Sequence, residues 1–140
     1  MPVRDPTIAE LAHDVRETVG RLVRRLRAEP GPSVTRVAVL GRLDRDGPAS
    51  ISDLAAHEHM RPQSMAQTVH ELETSGLVLR HPDPSDGRRA FVEMTSAGLE
   101  LLHATRARRE TWLTDALERE LDDSERALLR QALVLLRRIA

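Results

Sequence analysis

The apolar residues of this 140-residue chain keep helical spacing almost throughout and leave it in one place. Leu77-Val78-Leu79-Arg80-His81 is extended in character. So is Ala90-Phe91-Val92-Glu93-Met94, where Ala90, Val92 and Met94 alternate to one side. The stretch between them, Pro82-Asp83-Pro84-Ser85-Asp86-Gly87-Arg88-Arg89, is rich in turn formers and charge. The expected fold is mainly α with a small β-hairpin, whose tip is charged and exposed.

Ahead of the hairpin, Ile8, Ala12, Val15, Val19, Leu22 and Leu26 recur by fours and threes, which predicts a helix with one narrow apolar stripe. Leu11 and Val23 widen the stripe, and Arg16, Glu17 and Arg24 lie opposite. Glu29-Pro30-Gly31-Pro32 stops it. A second helix should bury Val34, Val37, Ala38, Leu40 and Leu43 and end near Asp46-Gly47-Pro48. Ser50-Ile51-Ser52-Asp53 has the form of a capping box, Ser50 capping and Asp53 reaching back, for a short helix with Leu54, Ala55 and Ala56. The pattern breaks at Glu58-His59-Met60-Arg61. Pro62 suits the first turn of a new helix with Met65, Val69 and Leu72 on one face and Gly76 as its C-terminal stop. Past the hairpin, Thr95 caps a long helix with Leu99, Leu102, Trp112, Leu113 and Leu117. Asp122 with Glu125 caps a last one holding Leu128, Leu129, Ala132, Leu133, Leu136 and Ile139.

Composition removes several classes of function. With no cysteine, the chain has no disulfide, thiolate metal site or thiol redox chemistry. No apolar run approaches bilayer length and the start does not resemble a signal peptide, so a cytoplasmic protein without membrane contact is expected. Phe91 and Trp112 are the only aromatics, too few for the stacking platforms of single-strand readers. Net charge is -1, yet all 21 basic residues counted as Lys+Arg are arginine, whose planar fork suits phosphates and guanine edges. Glycine-rich phosphate loops, nucleophile elbows and His-Glu-x-x-His patterns are missing, so no enzyme and no cofactor is expected. His57-Glu58-His59 places its histidines two apart, a poor chelate on a helix, so no metal is expected either.

Short helix, turn, helix and hairpin in this order make a helix-turn-helix followed by a wing. With Met65, Val69 and Leu72 inward, Arg61, Gln63, Ser64, Gln67, Thr68 and Glu71 face outward. Short polar and amide side chains there can meet base edges in the major groove, and Gln67 can read adenine. Amides at the helix start can hold a phosphate. The plainer alternative is a solvated face on an ordinary amphipathic helix.

Over essentially its whole length the chain resembles the MarR family of winged-helix regulators. The resemblance is carried by Ser52-Asp53-Leu54-Ala55, by Pro62 to Leu72, and by Ser75-Gly76-Leu77-Val78. It is carried most of all by Asp83-Pro84-Ser85-Asp86-Gly87-Arg88-Arg89 followed by Met94-Thr95-Ser96-Ala97-Gly98. Met94 stands where the family has leucine, a volume-conserving exchange. The resemblance implies one domain over 1–140, with a DNA-binding lobe over 34–98 and dimerisation helices over 5–28 and 99–140. It implies that Arg88 enters the minor groove, that Asp86 braces an arginine and orders the loop, and that Arg89 meets a backbone phosphate or stabilises the wing. The expected partners are double-stranded DNA, as a pseudo-palindromic operator, and a second copy of the chain. The expected function is that of a sequence-specific regulator, by default a repressor. The alternative is a dimeric interaction module that binds no specific DNA.

Three departures from the family pattern matter. Arg61 replaces the usual Ser or Thr cap, and Gln67 and Glu71 stand where basic residues are common. Glu71 would repel a phosphate, so it faces a base, pairs with an arginine or lies off the DNA. The family also implies a small anionic or phenolic effector, for which His13, Arg16 and Arg42 are the candidate partners, each with a plain surface role as its alternative.

Overall fold

Thr7 starts the first helix: its hydroxyl accepts the Glu10 amide at 3.2 Å, and the Glu10 carboxylate accepts the Thr7 amide at 2.7 Å. These contacts come from a computed structural model that describes residues 5–140. The first four residues of the expected domain lie outside it. Helix α1 spans Ile8–Ala28 and buries no residue within the chain. Helix α2, Val34–Asp46, is capped by Ser33. It buries Val39, Leu40, Gly41 and Leu43, while Val34, Val37 and Ala38 are only half-buried. The covered face is shifted from the expected stripe because both β3 and α4 pack against α2.

The sheet has one strand more than the expected hairpin. Strand β1, Ala49–Ser50, pairs antiparallel with β3, Ala90–Met94, setting Ala49 opposite Val92 and Ser50 opposite Phe91. Strand β2, Val78–Pro82, pairs with the other edge of β3, from Val78 opposite Met94 to Pro82 opposite Ala90, so the order is β1-β3-β2. Two residues have no period to read, and β1 exists only because β3 supplies its partners.

Helices α3 (Ile51–His57) and α4 (Pro62–Thr74) pack against each other and on this sheet. The core is aliphatic, with Leu40, Leu54, Met65, Leu72, Val69, Val78, Val92 and Leu102 fully enclosed. Each such side chain contributes about 1.5–3 kcal/mol over an exposed one.

Helix α4 ends in a tight turn. The Leu77 amide donates to the Leu72 carbonyl and the Gly76 amide to Glu73, both at 2.9 Å, with Gly76 at φ 75°. This turn is then clamped to helix α5, Ser96–Glu120. The Thr95 hydroxyl donates to the Gly76 carbonyl at 2.7 Å and accepts the Gly98 amide at 3.1 Å. A Cβ on Gly98 would lie 2.3 Å from the Leu77 carbonyl oxygen, so only glycine fits there.

The chain forms two compact units, divided after Thr105 within α5. In the second, Arg106–Ala140, Asp122 caps helix α6, Asp123–Arg137, in a reciprocal box with Glu125. Arg126 donates to the Leu117 carbonyl at 3.4 Å, which also accepts the Leu121 amide at 3.1 Å, and to the Glu118 carbonyl at 3.0 Å, tying the start of α6 to the end of α5. Like α1, α6 buries nothing within the chain. Among the described residues no helix is long and apolar enough to cross a membrane.

Candidate nucleic-acid interface

Ser50 opens the motif. Its hydroxyl accepts the Asp53 amide at 3.1 Å, but the Asp53 carboxylate does not return the bond, so the expected box is a one-sided cap. Arg89, just ahead of β3, donates to the same Ser50 hydroxyl at 3.4 Å. The turn after α3 is closed by the Met60 amide on the Ala55 carbonyl at 2.8 Å. It is the one place among the described residues where a side-chain-bearing residue, His59, takes a positive φ, 52°.

Arg61 makes no side-chain cap on α4 and Pro62 occupies its first turn. The amides that follow therefore point out of the helix without a side-chain partner, the arrangement that suits an anion. Burial of Met65, Val69 and Leu72 leaves Arg61, Gln63, Ser64 and Gln67 exposed. Thr68 is half-buried, and its hydroxyl donates to the Ser64 carbonyl at 3.2 Å. That bond turns the hydroxyl toward the helix's own backbone.

Glu71 resolves to the second of its three expected settings. Its carboxylate takes an ion pair from Arg36 of α2, 35 residues away, on one oxygen. Its other oxygen accepts from the Gln67 carboxamide at 3.3 Å. The Arg36 hydrogen bond, then that of Gln67, holds the carboxyl below the usual carboxylate range, so Glu71 is ionised at neutral pH.

The wing is organised by a residue not singled out in advance. Asp83 is buried, and one of its oxygens accepts both the amide (2.8 Å) and the hydroxyl (2.7 Å) of Ser85. The Ser85 hydroxyl and amide, with Arg89 nearby, depress its pKa. The Asp83 amide donates to the Arg89 carbonyl at 3.0 Å, closing the loop. Among the described residues Asp86 braces no guanidinium: its carboxylate accepts the Arg88 backbone amide at 3.0 Å. That contact fixes the chain at Arg88, whose side chain stays exposed.

At the wing's root, Ser50, Ile51, Ser52, Arg80, Arg88, Arg89 and Ala90 line a hollow of about 280 Å³. Three arginines and two serine hydroxyls, with no carboxylate in the lining, make it suited to a phosphate group. Arg80 is also new to the site, and it pairs with Glu73 of α4 at 3.5 Å. Asp83 had a legible signal, since Asp two residues before Ser is an Asx-turn pattern. Arg80 and Arg36 had none, because their partners are set by the packing of α4.

Among the described residues, no hydrogen bond or ion pair joins Arg42 to the other effector candidates, His13 and Arg16. His13 and Arg16 share one face of α1, 3.5 Å apart, with Arg16 paired to Glu17 at 3.0 Å. His13 also lines a hollow with Asp5, Glu10 and Asp14, a poor surrounding for an anion. Arg42 pairs with Asp46, while its Nε is a buried donor with no partner among the described residues. His57 faces Glu58 at 3.1 Å, and among the described residues no three His, Asp or Glu converge as a metal site would need.

A helix-turn-helix backed by a three-stranded wing, polar on α4 and cationic at the wing, defines a DNA-binding transcriptional regulator. Residues 33–90 match the sequence model of the MarR family. An uncharacterized HTH-type transcriptional regulator of Mycobacterium bovis is 38% identical over 127 residues, covering 89% of this chain and 88% of that one. A transcriptional regulator protein of Pseudomonas aeruginosa, known as a crystal structure, is 43% identical with a TM-score of 0.80, over 96% of this chain and 97% of its own. Wild-type MarR from E. coli, in its apo form, shares the fold, with a TM-score of 0.76 at 20% identity over 95% and 98% of the two chains. The chain belongs to the MarR family.

Proposed function

We propose that two copies of this chain bind a pseudo-palindromic operator in double-stranded DNA and repress transcription from it. The observation that carries this reading is the pairing of two DNA-facing features in one lobe. Helix α4 offers Gln63, Ser64 and Gln67 outward from an uncapped, proline-led start, and the wing offers exposed Arg88 on the wall of the arginine-lined hollow. In this reading α4 lies in the major groove, Arg88 enters the flanking minor groove, and the hollow of Arg80 and Arg89 seats a backbone phosphate.

Dimerisation is supported by what the chain leaves uncovered. On α1, Ile8 is 86% exposed, and on α6, Leu128 is 65% exposed, with Ile139 just beyond it at 79%. Such faces call for a second copy, and a two-fold axis would set two recognition helices on half-sites about one turn apart. Repression is supported by IacR of Pseudomonas putida, named a repressor, which is 34% identical over 67 residues. Control by a small anionic or phenolic effector completes the proposal, with the open Nε of Arg42 as the donor it would satisfy. In this fold, BpsR of Bordetella bronchiseptica has its DNA binding regulated by 6-hydroxynicotinic acid. Acting on DNA, the protein would work in the cytoplasm.

The test is Arg88→Ala, assayed on a duplex selected from a random library by the wild-type protein. The variant should stay dimeric and melt with the wild type, yet bind far more weakly. The slope of log affinity on log salt should flatten by about one unit or less, as one fewer phosphate charge is neutralised. Arg88→Lys should rescue only in part. Wild-type affinity in the alanine variant would make the wing purely structural.

A further inference from the structure

We infer that Arg36 of α2 is a positioning residue for base reading by α4: it holds the Glu71 carboxylate, and Glu71 in turn holds the Gln67 carboxamide. This inference rests on Gln67 being a base reader, and it names what orients that reader.

The connection is continuous. Arg36 Nη2 donates to Glu71 Oε2, and Gln67 Nε2 donates to Glu71 Oε1 at 3.3 Å. Gln67 and Glu71 stand four residues apart, so their side chains share one face of α4. Arg36 comes from another helix, which fixes the carboxylate from outside. Both oxygens of Glu71 are thus used, one by each partner.

Two consequences follow. The first concerns charge: an unpaired carboxylate on the outward side of α4 would repel the phosphates that the helix must approach. Arg36 cancels that charge where it stands. The second concerns orientation. A carboxamide is nearly symmetric in shape, but its two ends are a donor pair and an acceptor. An ionised carboxylate only accepts, so it binds the nitrogen end of Gln67 and turns the oxygen outward, leaving one N–H free beside it. An outward oxygen with one N–H matches adenine, whose N6 amino group donates and whose N7 accepts. The same presentation opposes guanine, which offers acceptors at both N7 and O6. Tethering also removes rotamer freedom from Gln67 before DNA arrives, so less is lost on binding.

The test uses the full chain and a duplex selected by the wild-type protein from a random library. Gln67→Ala first identifies the base pair whose preference relaxes. Affinity is then measured on that duplex and on its adenine-to-guanine counterpart at that position. Wild type should prefer adenine by about 5–150-fold. Arg36→Ala should bring the two duplexes to within about threefold of each other and weaken both, while Arg36→Lys keeps part of the preference. Adding Glu71→Gln to Arg36→Ala should restore overall affinity, because the loose charge is gone, without restoring the preference. Glu71→Ala, which cuts the same connection at a surface side chain, should lose the preference even if Arg36→Ala folds poorly.

Wild-type preference at every position in Gln67→Ala would overturn base reading by Gln67, and the role of Arg36 with it. A relaxed Gln67→Ala alongside wild-type preference in Arg36→Ala and Glu71→Ala would overturn the positioning role alone. Equal losses on both duplexes with a lowered melting temperature and no recovery from Glu71→Gln would make Arg36 a strut between helices, which also overturns it.

Discussion

Helices α4 and α6 carry apolar residues at equally regular spacing, and the chain treats them in opposite ways. On α4, Met65, Val69 and Leu72 are fully enclosed by the sheet and the helices around it. On α6, Leu128 and Leu135 stay mostly exposed, and no residue of the helix is buried within the chain. An apolar stripe therefore says that a helix face will be covered without saying by what. For α4 the cover comes from the same chain, and this aims its polar side outward with little freedom. For α6, as for α1, the proposed cover is a second copy.

The sharpest way to break this comparison is to truncate one residue on each helix. Leu72→Ala removes enclosed side chain from the core and should cost about 3 kcal/mol, seen as a lowered melting temperature at every protein concentration. If Leu72→Ala melted like wild type, α4 would not be anchored as described. The counterpart, Leu135→Ala, should cost the folded protomer little. It should raise the dimer dissociation constant about tenfold in sedimentation, and wild-type melting should rise with protein concentration. A Leu135→Ala dimer as tight as wild type would remove that residue from the proposed interface.

The smallest effect sharpens the same contrast at the wing, which is ordered by polar contacts rather than apolar cover. Asp83 has its pKa depressed by the Ser85 hydroxyl and amide, with Arg89 adding to it. Its contribution is therefore complete above the usual carboxylate range and is lost as pH falls through its depressed value, below about pH 4. Hydrogen exchange at the Ser85 amide should stay slow, relative to its intrinsic rate, at pH 5 and quicken in that acid window. Asp83→Asn, which still accepts but does not titrate, should abolish the pH dependence. An unchanged acid response in Asp83→Asn would assign the wing's order to another group.

Much of the architecture is local and so was legible. Helix starts at Ser50, Thr95 and Asp122 rest on a side chain within reach of an amide three residues on. The hairpin rests on a change of period bounded by turn formers. The outward residues of α4 follow from its three inward ones. Gly98 stood in the motif, but its necessity is a matter of distance to Leu77, which only packing reveals. The same holds for β1, whose two residues become a strand because β3 lies beside them. Glu71 is the clearest case. That it needed relief from DNA repulsion could be stated from the chain, whereas the choice of Arg36 as its partner could not. Spacing of three and four residues is written into helical geometry, so sequence determines faces, caps and turns. Contacts between residues 35 apart depend on how those faces are stacked, and that is decided only when the core closes.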